Sequence, residues 1–437
     1  MARVDRLVPT NVGVLDVRSR SRRFSMHVGA DVIAGFTEAE SQTKAKTNIF
    51  AFGFEAGERV SVGASLKGRV WSYRAAPTLK HWVDWCDHVG PKLADETISI
   101  EEVMRGFIRP RTLEERPDLV ALTIELWEPL LSTSEELRVR SGDADAPLVD
   151  LDLRVVAHAR TGPVMFVASV DGMSARYLLD LSDGAMTYAA EGPELHVFSR
   201  RGGARPLSDY LRRSEPLVLM EQDAVLVPPG ILLQPERELA PFPIDRLEAL
   251  AWTGVNLRRE SQGPQRDPTS IQHHVAASLM AEADWELVLD DDDSGEIADL
   301  VLIRREDEDL VILLVHCKFS SEETPGARVA DLYELCGQAQ KSARWRHHNA
   351  LLFRHLARRE RNRNRRHNRS GLMVGSGETL YRLEEAAPVL RPRIGVVIAQ
   401  PGLSKARFSP ATAQLLASSE LYLRETASAS FRVLCSA

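Results

Sequence analysis

The stretch IADLVLIRREDEDLVILLVHCKF, residues 297–319, decides the fold of this chain. It contains two apolar runs, 297–303 and 310–319, which are joined by the charged turn 304–309. Two runs of this length around a short polar turn predict a β-hairpin. The second run is apolar at every position of 310–315, which is typical of a central strand that is buried on both faces.

The segments on either side extend this pattern into a sheet with helices. Thr269 or Ser270 can cap a helix that carries Ile271, Val275 and Leu279 on one side. We predict the other elements, in chain order, as a strand over 285–289, the hairpin, a long helix over 328–345, a strand over 394–399, a helix over 409–418 and a strand over 431–435. This order predicts an α/β sheet that is covered on both faces.

The rest of the chain is richer in predicted strands. Strands are predicted over 48–54, 59–64 and 69–73, and helices over 77–93 and 98–107. Short alternating runs broken by Gly, Asp and Pro follow. We therefore predict an α+β multidomain protein with three regions: an N-terminal α+β region (1–146), a β-rich middle region with a Pro-rich linker (147–262) and an α/β domain (263–437).

Composition excludes several classes of protein. The chain has 437 residues, of which 44% are hydrophobic and 27% charged, so it can form two or three folded domains and is not collagen-like, disordered or a coiled coil. Its longest apolar run is far shorter than the roughly 20 residues that span a bilayer. Residues 1–23 lack the pattern of a secretory signal, and the four cysteines are scattered. We expect a cytoplasmic protein without a membrane partner.

The net charge of −7 conceals two opposite segments. Residues 282–309 carry thirteen acidic side chains against Arg304 and Arg305, whereas residues 341–369 carry eleven Lys or Arg against Glu360. A nuclease needs carboxylates for a cation and basic groups for phosphates, so this pairing favours a nucleic-acid enzyme. A solvated loop followed by a solvated helix is the alternative.

Two lysines stand out because the chain otherwise uses Arg. Only eight of its 55 basic residues are Lys, and between Lys92 and Lys405 only Lys318 and Lys341 occur. Lys differs from Arg where a compact or deprotonatable charge is needed. Lys318 and Lys341 are therefore candidates for chemistry.

The hairpin would bring three polar residues together. Asp299 lies at the start of its first strand, and His316 and Lys318 lie near the end of its second. Residues i and i+2 of a strand project from the same face, so His316 and Lys318 point the same way. The turn between the strands allows Asp299 to lie beside them.

This arrangement resembles the PD-(D/E)xK nuclease superfamily, which has the restriction-endonuclease-like fold, over residues 269–437. In that family an Asp at a strand start and an acid two residues before a Lys hold Mg²⁺, and the Lys orients or activates water. The resemblance implies that Asp299 holds the metal and that Lys318 is the family's lysine. Glu296 could add a further carboxylate.

The helix that carries Gln338, Gln340 and Lys341 is similar to the Gln-bearing helix of Mrr-like and RecB-like members. More specifically, the chain resembles the C-terminal nuclease module of phage-defence-associated bacterial DEAD/DEAH-type helicases, and residues 38–87 resemble the segment that precedes that module. The segments that carry this likeness are TNIF (47–50), KGRVWS (67–72), GEIAD (295–299), HCK (316–318), PGAR (325–328) and CGQAQKS (336–342). No P-loop is present, so we predict no motor in this chain.

His316 departs from the family pattern, which has an acid at this position. A neutral imidazole is a poorer ligand for Mg²⁺ than for Mn²⁺. If His316 is a metal ligand, its imidazole has to be neutral, so nuclease activity should fall as the pH drops through the pKa of His316, near 6.5 when unperturbed. As an imidazolium that holds the scissile phosphate it would show the opposite trend, and loss of catalysis is the third alternative.

We therefore predict a metal-dependent nuclease that cleaves DNA, or RNA as the alternative, in bacterial antiphage defence. The catalytic residues are Asp299, His316, Lys318, Gln338 and Lys341. The ligands of Mg²⁺ or Mn²⁺ are Asp299, Glu296 and His316. Nucleic acid is predicted to contact Arg344, Arg346, Arg354, Arg358, Arg359 and Arg361. The predicted partners are DNA and a helicase or another defence protein, with a homo-oligomer left open. The rival hypothesis is a non-catalytic nucleic-acid-binding or scaffold module with a degenerate nuclease fold.

Overall fold

The computed structural model describes residues 8–16, 24–29, 32, 36, 44–55, 58–65, 69–72, 76–95, 108–126, 137–199, 202–214, 216–235, 239–292, 296–347 and 349–437. The chain is mixed α+β, as predicted. It divides into an N-terminal unit (Met1–Arg111 with Leu233–Arg237) and a main unit (Thr112–Leu232 with Glu238–Ala437). The main unit thus contains both the predicted α/β domain and nearly all of the predicted middle region.

The described part of the N-terminal unit contains an antiparallel sheet and a helix. The strands are β1 (Val8–Asp16), β2 (Phe24–Val28), β3 (Lys44–Glu55), β4 (Glu58–Ser65) and β5 (Val70–Trp71), in the order β2-β1-β3-β4-β5. Helix α1 (Leu79–Leu93) begins after Thr78, whose side chain accepts a hydrogen bond from the backbone N–H of His81. The predicted helix over 98–107 lies outside the described residues.

The first part of the main unit is β-rich, as predicted. Its elements, in chain order, are β6 (Arg109–Thr112), β7 (Ala121–Glu125), β8 (Arg138–Ser141), β9 (Ala144–Pro147), β10 (Asp152–Val155), β11 (Val164–Val170), β12 (Met173–Ser182), β13 (Ala185–Ala190), β14 (His196–Phe198), β15 (Arg205–Pro206), α2 (Leu207–Ser214), β16 (Leu217–Met220), β17 (Val225–Val227) and β18 (Ile231–Gln234). The unit limits fall within β6 and β18. The strands form three sheets, in the orders β10-β11-β12-β13, β15-β14-β8-β9 and β6-β18-β17-β16-β7.

The second part of the main unit is built around a seven-stranded sheet. Its elements, in chain order, are β19 (Leu247–Ala249), α3 (Ile271–Glu282), β20 (Leu287–Asp290), β21 (Leu300–Glu306), β22 (Asp309–Cys317), α4 (Ala330–Ser342), α5 (Asn349–His367), β23 (Leu372–Val374), α6 (Gly377–Ala386), β24 (Arg391–Ser404), α7 (Pro410–Ala427) and β25 (Ser430–Ser436). The strand order is β19-β25-β24-β22-β21-β20-β23. Strands β20, β21 and β22 pair antiparallel, and β22 pairs with β24 in parallel.

The predicted hairpin is the centre of this sheet. Strands β21 and β22 pair from Leu300 opposite Val315 to Glu306 opposite Asp309. Strand β24 pairs with the other edge of β22, and the apolar run 310–315 is buried except for Val311, which is half-buried. Ser270 caps α3 as predicted, and Ile271 and Val275 of α3 pack into the core that includes Val315.

The basic stretch forms α5, which is not a purely solvated helix. Leu352, Phe353 and Leu356 are fully buried, and Arg359 is only 8% exposed. Apolar spacing at the start of the helix therefore anchors it to the main unit. Among the described residues, no helix is long and apolar enough to span a membrane.

Gly337 allows α4 to pack against β7, and this contact joins the two parts of the main unit. A Cβ atom at position 337 would lie 2.3 Å from the carbonyl oxygen of Leu122. We expect Gly337→Ala to lower the free energy of unfolding by about 1–3 kcal/mol, because backbone atoms cannot withdraw as a flexible side chain can. Urea unfolding measures this change.

The matched control is Gly377→Ala in α6, where an added Cβ meets no atom within 4 Å. Ala in a helix without a clash is favoured over Gly by up to about 1 kcal/mol. We therefore expect changes of opposite sign at the two positions. Equal effects of the two substitutions would contradict the tight contact between α4 and β7.

Candidate metal centre

Three carboxylates meet where β20 ends and β21 begins. Asp292 lies two residues after β20, and Glu296 and Asp299 precede β21. Their nearest oxygens all lie within 4.8 Å of one another. Oxygen ligands lie about 2.0–2.6 Å from Mg²⁺ or Ca²⁺, so two ligands of one ion are separated by up to about twice that distance. This group, which we call the carboxylate triad, could hold a metal ion.

Hydrogen bonds fix both oxygens of Asp299. Oδ1 accepts from the side-chain amide of Gln272 at 3.0 Å, and Oδ2 accepts from the backbone N–H of Cys317 at 2.7 Å. The same amide nitrogen donates to Asp292 Oδ2 at 3.0 Å. A single side chain of α3 therefore ties together two members of the triad.

Helix α5 holds the loop that carries Asp292. The guanidinium of Arg359 donates to the carboxylate and to the carbonyl oxygen of Asp291, both at 2.7 Å. Arg363 donates to the carbonyl oxygens of Asp290 and Asp292. Arginines of the basic segment 341–369 thus neutralise part of the negative charge of the acidic segment 282–309.

Burial and repulsion from neighbouring carboxylates raise the pKa values of Asp299 and Glu296. Burial raises the pKa of Asp299 well above its usual range, and the negative charge of Asp292 adds to this. Burial and the charge of Asp299 likewise raise the pKa of Glu296. A bound divalent cation would reverse this repulsion and favour the charged carboxylates.

Lys318 lies beside the triad, at the end of β22, in contact with two acids. Its Nζ is 3.0 Å from Glu334 and 3.4 Å from Glu260. Burial lowers the pKa of Lys318, but these two carboxylates outweigh burial, and the pKa is raised overall. The ammonium group therefore stays protonated, and its positive charge acts on Asp299.

The triad and Lys318 line one pocket of about 200 Å³. Six carboxylates and four basic side chains surround it: Asp152, Glu260, Asp292, Glu296, Asp299 and Glu334, with Arg154, Lys318, Lys341 and Arg344. The formal excess is two negative charges, which a single divalent cation would balance. The remaining lining residues are Ser169, Ile297, His316, Gln338 and Trp345.

The β-rich part of the main unit supplies one wall of this pocket. Asp152 and Arg154 project from one face of β10, and Asp152 accepts a hydrogen bond from Lys341 Nζ at 2.6 Å. Lys341 also donates to the carbonyl oxygen of Leu153 at 2.6 Å. The triad thus faces a wall built from the predicted middle region.

His316 lines the pocket. Among the described residues, the group that could hold a metal ion consists of the carboxylate triad and does not include His316. Its Nε2 is 2.8 Å from Ser342 Oγ, and the residue is 2% exposed. Burial, with the positive charge of Lys341, lowers the pKa of His316 to about 3. The imidazole is therefore neutral throughout the physiological pH range, and the loss of activity expected near pH 6.5 loses its basis.

The predicted site residues are partly brought together. Asp299, Glu296, His316, Lys318, Gln338 and Lys341 all line the pocket. Of the six predicted nucleic-acid contacts, Arg344 lines it as well. Arg346, Arg354, Arg358 and Arg359 form contacts within the protein, and Arg361 is exposed. Their binding of nucleic acid stays a prediction.

Several residues of the site were not predicted. Asp292 is one of four consecutive aspartates, and nothing in the sequence distinguishes it from its neighbours. Glu260 and Glu334 are revealed only by their contacts with Lys318. Asp152 and Arg154 share one face of their strand. More than a hundred residues separate them from the triad in the chain, so the sequence does not link them to it.

Metal binding to the triad should stabilise the protein. At a Mn²⁺ concentration of 100 times Kd, we expect a gain of about 2.7 kcal/mol and a higher melting temperature. Asp299→Asn should abolish this gain, whereas Glu308→Gln, on an acid that is 85% exposed in the β21–β22 turn, should retain it. Thermal unfolding with EDTA or Mn²⁺ measures both. A stabilisation that survives in Asp299→Asn would exclude the triad as the site.

His316 should make the protein sensitive to acid. Its pKa is about 3 when folded and about 6.5 when unfolded, so the unfolded state binds an additional proton between these values. Stability is therefore lost as the pH falls below 6.5, by about 2 kcal/mol at pH 5. Urea unfolding of His316→Gln should show a correspondingly smaller difference between pH 7 and pH 5.

The control for this prediction is His196→Gln, because His196 is an exposed residue of β14. It should leave the difference between pH 7 and pH 5 as in the unmodified protein. If His316→Gln also leaves it unchanged, His316 is not held neutral in the folded state.

Comparison with known proteins does not assign the chain to a family. No protein-family model, no curated protein and no solved structure matches it. The site is therefore defined by its own residues: a carboxylate triad, a protonated lysine and three further basic side chains around one small pocket.

Proposed function

We propose that this protein is a metal-dependent nuclease that hydrolyses phosphodiester bonds in nucleic acid. The observation that carries this proposal is the meeting of the carboxylate triad, Lys318 and three further basic side chains in one pocket. Carboxylates attract a divalent cation, and basic groups attract phosphate. A phosphodiester is a substrate that uses both.

The topology supports a restriction-endonuclease-like domain over residues 269–437. Helix α3 precedes the antiparallel strands β20, β21 and β22, and helix α4 follows them, as the sequence pattern predicts. Asp299 lies just before the second of these strands and Lys318 just after the third. The antiparallel register of β21 and β22 then brings the two residues to the same end of the sheet.

The residues present fit Mg²⁺ or Mn²⁺. The triad offers only carboxylate oxygens, which are the ligands that these hard cations prefer. A metal bound there would lower the pKa of a coordinated water and stabilise negative charge on the phosphate. Because His316 lies outside the triad, the preference for Mn²⁺ that was inferred from an imidazole ligand has less support.

The protein's own groups have separate tasks in this proposal. Asp299 is held in one orientation by Gln272 and by the backbone of Cys317. Lys318 stays protonated between Glu260 and Glu334, so it acts as a positive charge and hydrogen-bond donor rather than as a proton acceptor. DNA as the substrate, a helicase or other defence protein as partner, and a role in antiphage defence come from the sequence resemblance.

Plasmid cleavage tests the proposal. We expect nicking or linearisation with Mg²⁺ or Mn²⁺ and none with EDTA. Asp299→Asn and Lys318→Ala should lower the rate by roughly 100-fold or more, the usual effect of removing a group that stabilises transition-state charge. Glu308→Gln should cleave at the rate of the unmodified protein.

The rival hypothesis, a non-catalytic binding module, makes the opposite prediction. Such a protein would bind plasmid in a gel-shift assay but would leave it intact with every metal. Cleavage that is equally fast in Asp299→Asn and in the unmodified protein would show contamination and would also reject the proposed site.

A further inference from the structure

One part of the pocket is not used by the proposed chemistry. It is lined by His316, Gln338, Lys341 and Arg344, and we call it the His316 subsite. Three buried atoms there have no hydrogen-bond partner: Nδ1 of His316, Oε1 of Gln338 and Nε of Arg344. A buried polar atom without a partner destabilises a protein, so three in one small pocket are groups whose hydrogen bonds a ligand can supply.

The contacts of Ser342 show which hydrogen bond His316 can form. Ser342 Oγ lies 2.8 Å from Nε2 of His316 and 3.3 Å from the carbonyl oxygen of Gln338, which can only accept; in the arrangement that satisfies both contacts, the hydroxyl donates to the carbonyl and accepts from Nε2. Nδ1 then carries a lone pair and can only accept. His316 and Gln338 therefore offer two acceptors to a ligand that brings a hydrogen-bond donor.

The same subsite also offers positive charge. Lys341 is shared with Asp152 and the carbonyl oxygen of Leu153, whereas Nε of Arg344 is without a partner. The guanidinium of Arg344 lies 4.4 Å from the centre of the Trp345 ring, which fixes its plane. A fixed guanidinium with a free donor is a good partner for a phosphate oxygen.

We propose that the His316 subsite binds the nucleotide next to the scissile bond. Arg344 and Lys341 hold its phosphate, while His316 and Gln338 accept hydrogen bonds from its sugar hydroxyl or its base. This inference rests on the proposed function and names its substrate class. A pocket of about 200 Å³ is smaller than typical small-molecule sites of about 300–1,000 Å³, so it has no room for a base pair, and we expect one strand to enter it.

The first test measures binding of fluorescein-labelled dT5 to the full chain in EDTA, by anisotropy. Arg344→Gln should weaken binding about tenfold, as expected for one lost charge-assisted hydrogen bond. It should also reduce the salt dependence of binding by about one phosphate contact. Arg407→Gln, on an exposed basic residue outside the pocket, should leave both unchanged.

Gln338→Leu separates ligand binding from a structural role. If the amide is kept for a ligand, its replacement by an apolar side chain of similar size should weaken dT5 binding several-fold and leave the protein as stable or more stable in urea. A residue kept for folding would lose stability instead. A tighter complex with rU5 than with dT5, lost in Gln338→Leu, would assign the hydrogen bond to the ribose hydroxyl; equal complexes would assign it to the base.

Unchanged dT5 affinity in both Arg344→Gln and Gln338→Leu would overturn the subsite. If Arg344→Gln weakens the binding of a blunt duplex as much as it weakens the binding of dT5, the preference for a single strand is overturned. Because binding is measured without metal, it is independent of cleavage. Binding with the expected pattern but without cleavage would reject the nuclease and keep the subsite, and cleavage that is insensitive to both variants would do the reverse.

Discussion

Repulsion among the three carboxylates of the triad is the force that the surrounding structure has to balance. Burial raises the pKa values of Asp299 and Glu296, so holding these groups together in the ionised form costs free energy. The amide of Gln272 in helix α3 donates to Asp292 and Asp299, and a backbone N–H of strand β22 donates to Asp299. Two arginines of helix α5 donate to the loop that carries Asp292. The triad is therefore arranged by the fold itself, and a cation would find its ligands in place.

Lys341 shows how the two parts of the main unit depend on each other. The scarcity of lysine made it a candidate for chemistry, but its ammonium group joins α4 to Asp152 and Leu153 of β10. Because β10 also carries Arg154, this contact places a basic side chain in the lining of the same pocket as the triad. Gly337, one turn before Lys341, allows the helix to approach β7 closely enough for the contact to form. The β-rich part is thus a wall of the site.

The sequence predicted those features that follow from local pattern. An uninterrupted apolar run specifies a central strand, and a short turn specifies its antiparallel partner, so the shared pocket of Asp299 and Lys318 follows from register. Asp292 was not predictable, because its neighbours Asp290 and Asp291 have the same chemistry and differ only in facing arginines of α5. The arginines of α5 could not be separated into internal and external ones, since that depends on where the acidic loop lies.

Position 316 carries an imidazole, which burial and the positive charge of Lys341 keep neutral. The family pattern has an acid there, but the lining already carries two negative charges in excess, and Asp152 belongs to the same wall. A further buried carboxylate would add repulsion to this pocket, where Lys341 is already paired with Asp152. In our proposal Asp292 supplies the missing carboxylate from the other side of the triad. Position 316 is then free to hold an acceptor without charge, which suits a contact with substrate better than a contact with metal.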